Sequence, residues 1–295
     1  MTEKVLIAGG SGFIGSSLIE KLLELKYQVF CIDRNINSFS KNKSIILIKS
    51  DILKINVKKI SNNFSYIYDF AADLGVNNAI KNSDKLLINN ILTTSKIIQI
   101  AKKQKKLKRI FFSSTSEIYD HSSGFEESDI ITSAPLNHPR SSYWISKYAG
   151  EFLIAQSNLP YTIFRIFNAY GKNMKKNVFY DIKKKLKKDK ATFENPNHVR
   201  SFIYIDDLIK LIIFSKKKIF ENEIINLGNP ENPIKIRSLI NTIIKKYKFS
   251  GKYKFKNISN NSTKYRRPNI KKFIKLIKEK IKFKSLIEGI NEIFN

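Results

Sequence analysis

The chain has 295 residues, and 54 lysines and arginines against 25 aspartates and glutamates give it a formal net charge of +29. Its content of 42% hydrophobic and 12% aromatic residues is typical of globular proteins and excludes a globally disordered chain. The single cysteine, Cys31, excludes a disulfide scaffold and a thiolate metal site. Three scattered histidines lack metal-ligand spacing, so we expect no metal. The use of only one cysteine predicts a reducing cytoplasmic location. No apolar run is long enough to predict a membrane span, and the N-terminus lacks the features of a signal peptide.

Short apolar runs alternate with helical periodicity through the first half of the chain. The runs predict strands at 4–8, 29–32, 45–48, 66–72, 110–114 and 161–167. Between them, helical spacing of apolar residues predicts helices at 16–26, 84–105 and 146–156. This alternation is typical of an α/β protein with a Rossmann-type doubly wound parallel sheet.

The regular alternation of predicted strands and helices ends at about residue 170. A lysine-rich helix comes first, followed by the strand-like run SFIYI and a helix over 206–217. The strand-like run IINL and further helices complete the chain. This part predicts a smaller C-terminal lobe at the sheet edge where ligands of open α/β sheets lie.

A glycine-rich motif, GGSGFIG, stands directly between the first predicted strand and helix. Such glycines permit a tight turn, let the backbone approach a pyrophosphate and allow close packing of the helix on the strand. Asp33 ends the second strand, at the separation of about 20 residues expected for a carboxylate that binds an adenosine ribose. A carboxylate would repel a ribose 2′-phosphate and so favours NAD, although the adjacent Arg34 leaves NADP open. The predicted cofactor-binding residues of the motif are Gly9, Gly12, Phe13, Ile14 and Gly15.

A tyrosine and a lysine, Tyr143 and Lys147, lie one helical turn apart on one face of a predicted helix. An ammonium near a phenol stabilises the phenolate and makes the tyrosine a usable base near neutral pH. Upstream, Ser114, Thr115 and Ser116 stand at the end of the strand IFFSS. A hydroxyl there can share a substrate hydroxyl with the tyrosine.

Taken together, the spaced motifs resemble the extended short-chain dehydrogenase/reductase family, and within it the NAD-dependent nucleotide-sugar epimerases and dehydratases. The resemblance implies an NAD-binding Rossmann domain with the catalytic residues at 1–170. It also implies a mainly substrate-binding lobe at 171–295, some strands and helices of which return to the first domain. The motifs are GGSGFIG, Asp33, Asp51-Ile52, DFAAD, Asn90, SSTSEIYD, YWISK, RIFNAYG, RSFIYIDDL and RRPN.

The family pattern assigns further cofactor contacts. Asp51 and Ile52 resemble the pair that meets the adenine, and Ala71 and Ala72 the residues that line the cofactor after the fourth strand. Asn90 resembles the asparagine of the long helix that supports the active site.

The same pattern implies the catalytic and substrate roles. Thr115 matches the catalytic Ser/Thr, Tyr143 the base, and Lys147 its pKa partner and nicotinamide-ribose ligand. Asp69 departs from the pattern, because histidine is common at this position. The residues that the resemblance assigns to the sugar nucleotide are Ser116, Asn168, Asn177, Arg200, Arg266 and Arg267.

Glu117 bears on the type of reaction. The run Thr115-Ser116-Glu117 resembles UDP-glucuronate decarboxylases and sugar 4,6-dehydratases, whereas simple 4-epimerases usually lack this glutamate. Beside a sugar oxidised at C4, a carboxylate could move a proton at C5 or assist loss of a C5 carboxylate. We therefore expect an NAD-dependent epimerase or dehydratase acting through transient C4 oxidation. A decarboxylase-like enzyme, a keto-sugar reductase and a non-catalytic dinucleotide-binding regulator stay open.

The expected partners are a nucleotide sugar and a second copy of the chain. In the family, homodimers form through the helices predicted here at 84–105 and 143–157, with Ile91, Ile97, Ile98, Phe152 and Leu153 as interface or core residues. The strong positive charge fits general lysine-rich composition, or attraction of an anionic substrate or membrane surface. No helix-turn-helix, zinc-finger or RNA-recognition signature predicts specific nucleic-acid binding.

Overall fold

The structure is a computed structural model. It describes residues 2–36, 44–60, 63–73, 81–119, 125–129, 141–174, 178–188, 190–231, 233–258 and 263–294.

Helices and strands alternate along the described residues. The helices are α1 (Phe13–Glu24), α2 (Ser83–Lys102), α3 (Ser141–Ala155), α4 (Val178–Lys185), α5 (Ile205–Phe214), α6 (Ile236–Lys246), α7 (Lys271–Ile277) and α8 (Leu286–Phe294). The strands are β1 (Lys4–Ala8), β2 (Gln28–Asp33), β3 (Ile45–Lys49), β4 (Tyr66–Asp69), β5 (Arg109–Thr115), β6 (Tyr161–Ile166), β7 (Ala169–Tyr170), β8 (Lys190–Glu194), β9 (Val199–Arg200), β10 (Ile203–Tyr204), β11 (Glu223–Leu227), β12 (Ile234–Lys235), β13 (Lys252–Lys256) and β14 (Tyr265–Arg266).

Seven strands form the central sheet, in the order β11-β6-β5-β4-β1-β2-β3. Strands β3, β2, β1, β4 and β5 pair in parallel. Strand order reverses between β1 and β4, which is the point where ligands of doubly wound sheets bind, outside the carboxyl ends of the strands. The Rossmann-type fold predicted from the sequence is confirmed.

The sheet is held by apolar side chains that its strands bury. Val5, Leu6, Ile7 and Ala8 of β1 are all fully buried, as expected for a parallel strand with both faces covered. Three aromatic rings stack across β4, β5 and β6, with centroids of Tyr68 and Phe111 4.5 Å apart and of Phe111 and Phe164 5.6 Å apart. This rigid sheet fixes the strand ends that carry the candidate site.

Two helices are shorter than the sequence pattern predicts. Helix α2 ends at Lys102 rather than residue 105, because the Gln104 amide group turns back and donates to the carbonyls of Ile100 (2.9 Å) and Ile60 (3.0 Å). Helix α5 ends at Phe214 rather than at residue 217. After Phe214 the chain continues in tight turns, in which an amide donates to the carbonyl three residues earlier. Both ends lie beside polar, lysine-rich residues, which are compatible with a helix and do not mark where it stops.

The chain forms two compact units. The first comprises the described residues within 1–118, 132–165 and 211–225, and it contains the Rossmann elements through β6. The second comprises those within 119–131, 166–210 and 226–295. Within the second unit lie three small sheets, namely β10-β7, β12-β9-β14 and β13-β8.

Candidate functional site

The glycine-rich loop joins β1 to α1 at the carboxyl edge of the sheet. Gly9 has φ +76°, and a Cβ there would lie 2.7 Å from the Ala71 nitrogen and from the Phe70 carbonyl, so only glycine fits. Gly12 caps α1 in an extended conformation, and as a glycine it offers no side chain to accept a hydrogen bond from the first amides of the helix. These amides and the positive end of the helix dipole suit a pyrophosphate. The loop therefore fits a dinucleotide.

Asp33, the last residue of β2, is tied to this loop. Its Oδ2 accepts a hydrogen bond of 2.9 Å from the Ser11 amide, and its Oδ1 one of 3.0 Å from the Asn35 amide. The neighbouring Arg34 pairs with Asp73 Oδ1 at 2.7 Å. The guanidinium therefore already has a carboxylate partner, which favours NAD over NADP.

The segments predicted to meet the adenine follow β3 and β4. Asp51 begins the short 3₁₀ helix Ile52–Lys54 and accepts a 2.9 Å hydrogen bond from the Leu53 amide. Ile52 is buried in the hydrophobic core. Ala71 and Ala72 are partly exposed directly after β4, where Ala71 borders Gly9.

Asn90 is a buried hydrogen-bonding hub on α2. Its Oδ1 accepts from the Asp73 amide at 2.7 Å, and its Nδ2 donates to Asp73 O at 3.3 Å and to Ser146 Oγ at 3.0 Å. The asparagine therefore joins the chain after β4 to α3, the helix of the tyrosine and lysine. Its role in supporting the active site stays a prediction.

The predicted catalytic hydroxyl stands at the end of β5. Thr115 is buried, and its Oγ1 accepts a 3.2 Å hydrogen bond from the Glu117 amide. Ser116 and Glu117 belong to the 3₁₀ turn that follows, in which Ser116 is buried and Glu117 partly exposed. Helix α3 packs against both β5 and this turn, so Tyr143 and Thr115 belong to adjoining elements.

Lys147 is a buried ammonium on α3. Its side chain is 2% exposed, and its Nζ lies 4.8 Å from the centre of the Phe112 ring. Burial lowers the pKa of Lys147 to about 8, while the charges of Asp69 and Glu151 act to raise it. Its ammonium donates no hydrogen bond to any part of the chain that the structure describes, so it has donors to offer a ligand.

Asp69, at the end of β4, faces this lysine and is fully buried. Thr94 Oγ1 donates to its Oδ2 at 3.3 Å. Burial raises the pKa of Asp69 to about 6, although Lys147, Thr94 and the Ala71 amide each act to lower it. The carboxylate is therefore ionised at neutral pH and balances the lysine charge.

A second buried pair completes the charge balance. Arg165 Nε and Nη2 donate to the two oxygens of Glu151 at 3.0 and 2.8 Å, and the Ser114 hydroxyl also donates to Glu151. With Lys147 and Asp69 this makes two buried cations and two buried anions. Such a cluster is tolerated only when its charges are matched.

No sequence motif indicates the contacts of Glu151 and Thr94. Glu151 follows Tyr143 and Lys147 at the same four-residue spacing, and Thr94 follows Asn90 by four. Helical spacing could therefore have placed both on the site-facing side of their helices. The partnership of Glu151 with Arg165 joins a helix to a strand, and no local pattern indicates it.

Two of the predicted sugar-nucleotide residues of the second unit share a cavity of about 360 Å³, Asn168 and Arg200. Asn168 Nδ2 donates to Ser201 O at 2.9 Å, and Arg200 donates to the carbonyls of Val199 and Thr263. His198 also lines this cavity. Burial and three neighbouring cations, Arg200 foremost, lower its pKa, so the imidazole is neutral at physiological pH. The remaining lining residues are Ala169, Val178, Asp181, Ile182, Lys185, Phe193, Glu194, Asn195, Phe202, Ile236 and Ile240.

The two consecutive arginines near the C-terminus, Arg266 and Arg267, have different partners. Arg266 stands directly beside Arg200 in the parallel pair β14–β9, and its Nη2 donates to Thr263 Oγ1 at 3.1 Å. Arg267 Nε donates to Pro230 O at 2.7 Å, and neither of the two lines the cavity. Asn177 lies outside the described residues.

Two features are not found among the described residues. They contain no group of three or more His, Cys, Asp or Glu side chains placed to hold a metal ion. None of their helices has both the length and the hydrophobicity needed to cross a membrane.

Comparison with known proteins identifies the family. Residues 5–228 match the model of the NAD dependent epimerase/dehydratase family. A UDP-N-acetyl-alpha-D-glucosaminuronate decarboxylase of Bacillus cytotoxicus is 31% identical over 251 residues, covering 78% of this chain and 76% of that one. A dTDP-D-glucose 4,6-dehydratase of Dictyostelium discoideum is 28% identical over 257 residues, covering 77% of this chain and 58% of that one.

A solved structure agrees along nearly the whole chain. The UDP-glucuronic acid 4-epimerase of Bacillus cereus, in complex with UDP-glucuronic acid and NAD, superposes with a TM-score of 0.87 at 27% identity. The superposition covers 98% of this chain and 97% of that one. The predicted family and cofactor are thereby confirmed: the chain belongs to the NAD-dependent epimerase/dehydratase family, and its cofactor is NAD.

Proposed function

We propose that the protein remodels a nucleotide-linked sugar by transient oxidation at C4 of the sugar, with Tyr143 as the base. The observation that carries this proposal is the ammonium of Lys147, which is buried one helical turn from Tyr143 and has no hydrogen-bond acceptor among the described residues. Burying an ammonium without an acceptor is costly. A ribose hydroxyl of the cofactor would supply the acceptor that the fold itself does not.

Each of three residues then has one task. Thr115 and Tyr143 hold the substrate hydroxyl, and Tyr143 takes its proton. The positive charge of Lys147 stabilises the phenolate form of Tyr143, which is the form that accepts this proton. Bound NAD supplies the hydride acceptor. The residues that would hold it are the glycine-rich loop, Asp33 and Lys147.

The second unit offers contacts for the nucleotide. The 360 Å³ cavity lies within the size range of small-molecule sites, and Arg200 combines a fixed position with a planar fork that suits phosphate oxygens. Arg266 beside it adds a second positive charge. Similar proteins act on UDP-linked and dTDP-linked sugars, which makes these nucleotides the first to test.

We further propose that Glu117 moves a proton at C5 once a C4 ketone has acidified the neighbouring C–H bond. The similar proteins include a decarboxylase, a dehydratase and an epimerase, so similarity does not choose among the reactions. Position supports the role, because Glu117 lies in the turn directly after Thr115. We therefore favour a dehydratase or decarboxylase-like reaction over a plain 4-epimerisation.

The test replaces Glu117 with glutamine, which keeps the shape and removes the proton transfer. Product formation should slow by about 100-fold or more, the usual contribution of a general acid–base group. Hydride transfer should survive, so reduced cofactor should accumulate in nicotinamide absorbance, whereas Tyr143→Phe should suppress both signals. Turnover of Glu117→Gln at the wild-type rate would make the glutamate a bystander and favour the 4-epimerase.

A panel of nucleotide sugars tests the function as a whole. The purified protein is incubated with UDP-glucuronate, UDP-glucose, dTDP-glucose and GDP-mannose, and products are read by mass spectrometry. A keto-sugar reductase would consume external NADH in step with product. A regulator would bind NAD and convert no nucleotide sugar, although a pure sensor has no need of Thr115, Tyr143 and Lys147 together.

We also propose a homodimer and a cytoplasmic location. Helices α2 and α3 pack on each other and expose apolar side chains on their outer side, Ile88, Leu92, Tyr148 and Phe152. A contiguous exposed apolar surface is typical of an interface. Ile97 and Ile98, two of the residues that the sequence offers for the interface, are buried in the core of the chain.

A further inference from the structure

A second cavity, of about 710 Å³, lies within the second unit and is distinct from the one that contains Asn168 and Arg200. It is bordered by the end of α4, the start of β8, the connection from α6 to β13 and the end of α8. Neither the family motifs nor the proposed catalytic residues lie in it. Its lysines are Lys183, Lys187, Lys188, Lys190, Lys248 and Lys252.

The lining residues that the structure describes are strongly positive. None of these twelve residues is acidic. Lys183 is held by a 2.8 Å hydrogen bond to Ile293 O and lies 5.8 Å from the centre of the Phe294 ring. The other five lysines pair with no carboxylate in the described parts of the chain. A concave surface lined by one sign of charge concentrates oppositely charged ions.

Helix ends account for only part of this charge. Helices α4, α6 and α8 all end at the cavity, and each C-terminus carries about half a negative charge, or about −1.5 in total. Lysines near helix C-termini are favourable for that reason. Among the described lining residues, the six ammonium groups nevertheless exceed the three dipoles by more than four positive charges, and this excess can attract an anionic ligand.

The size and composition of the cavity limit what the ligand can be. A volume of about 710 Å³ falls within the range of small-molecule sites. Leu186, Phe249 and Phe294 give the lining an apolar part as well. Several charges within so small a volume require an anion of high charge density, and lysine binds phosphate as a compact point charge.

We propose that this lysine-lined cavity binds a small anion with two or more phosphate groups, either free in solution or as the head group of a lipid diphosphate. The proposal does not depend on the catalytic function proposed above.

A matched pair of variants tests it. The cavity variant carries Lys187→Gln, Lys188→Gln, Lys248→Gln and Lys252→Gln. The control carries the same number of changes at the exposed end of α2, namely Lys102→Gln, Lys103→Gln, Lys105→Gln and Lys106→Gln. Both lose four positive charges, and all eight lysines are exposed, so both should fold, as circular dichroism would verify.

Inorganic triphosphate is titrated into the full chain by calorimetry at about 0.15 M salt, where long-range attraction is largely screened. We expect the cavity variant to bind at least about tenfold more weakly and the control less than about twofold more weakly. Any binding at the glycine-rich loop is common to both variants and cancels in the comparison. Equal losses in the two variants, or no binding to the wild type, would overturn the proposal and leave general composition as the source of the charge.

Flotation with vesicles separates the two sources. Phosphatidylcholine vesicles with and without farnesyl diphosphate are mixed with the wild type and both variants. Cavity-dependent flotation only with the diphosphate lipid identifies a lipid head group. Triphosphate binding without flotation identifies a soluble ligand, and flotation that the cavity variant retains contradicts a lipid ligand of this cavity.

Discussion

At position 69, the last residue of β4, the chain has a carboxylate. Asp69 is fully buried and acts on Lys147 more strongly than any other negative group does. Because Glu151 already shares its charge with Arg165, Asp69 is the lysine's own counter-ion. This residue should therefore govern the pH range over which the ammonium persists.

Asp69→Asn should lower the pKa of Lys147 below its present value of about 8, because the attraction that favours the ammonium is lost. The lysine then becomes neutral at lower pH and donates less strongly to a cofactor ribose. We expect NAD binding, measured by calorimetry between about pH 6 and about pH 10, to weaken at lower pH than in the wild type. Since Asp69 and Lys147 interact, the midpoints belong to the pair.

Asp73→Asn provides the control. It removes a carboxylate four residues away that pairs with Arg34 and does not act on Lys147. In Asp73→Asn, the alkaline limit, meaning the pH above which NAD binding weakens, should be the same as in the wild type. An unchanged alkaline limit in Asp69→Asn would show that the buried carboxylate does not set the charge of the lysine. Failure of the wild type to bind NAD at any pH would instead refute the cofactor assignment.

Asp33 combines two roles that two substitutions can separate. Its carboxylate accepts hydrogen bonds from the Ser11 and Asn35 amides, and its charge opposes a ribose 2′-phosphate. Asp33→Asn keeps an oxygen acceptor and should mainly lose discrimination between NAD and NADP. Asp33→Ala should also weaken NAD binding by about 1–2 kcal/mol, the scale of a charge-assisted hydrogen bond. Fluorescence titration with both dinucleotides measures this, and equal wild-type affinity for them would refute the assignment.

Among the elements, the start of β5 and the end of α5 depend on a single arginine. Arg109 is buried, and its Nη1 donates to the carbonyls of Ser215 and Lys217 at 3.0 Å each. Its Nη2 pairs with Glu221 at 3.2 Å. These bonds hold the turns that follow the end of α5. The arginine thereby joins the start of β5 to the turns that follow α5.

Arg109→Ala should lower the free energy of unfolding by about 2–4 kcal/mol, since it removes a buried cation together with its hydrogen bonds to two carbonyls and its ion pair with Glu221. Urea unfolding followed by circular dichroism measures the change. The neighbouring Lys108→Ala breaks an exposed pair with Glu3 and should change stability by less than about 1 kcal/mol. Similar losses of unfolding free energy in the two variants would show that Arg109 contributes no more to stability than an exposed ion pair does.

For the whole molecule, the proposed self-association follows from what α2 and α3 leave uncovered. Phe152 is 64% exposed and Ile88 54% exposed, although both belong to helices that are otherwise well packed. Such large apolar side chains gain most when a second surface removes them from water. A dimer would bury them, and an isolated copy would not.

Phe152→Glu should therefore weaken the dimer by about 2 kcal/mol or more, as expected for a large aromatic side chain at the centre of an interface. Sedimentation velocity over a range of concentrations measures the shift toward monomer. Ile287→Glu, at an exposed apolar residue of α8, is the matched control and should sediment as the wild type. A wild-type monomer at micromolar concentration would exclude this dimer.

Local sequence patterns predict much of the fold and part of the candidate site. The run Val5–Ala8 followed by glycines predicts a buried strand and a turn that leads into a helix, and both are present. Tyr143 and Lys147 share a helical face because their spacing is a property of the helix alone. The ends of helices were less predictable, because Gln104 ends α2 through a carbonyl of Ile60 that lies far away in the chain.

Sequence by itself determined the strand–glycine–helix motif, the carboxylate at the end of β2 and the tyrosine–lysine pair, since each depends on a few consecutive residues and on fixed helix and strand periods. Only the tertiary structure decided which charges surround Lys147. Asp69, Glu151 and Arg165 come from three different elements, and their pairing depends on how α3 packs against the sheet. The charge on a buried group is set by its neighbours in space, which a linear pattern does not specify.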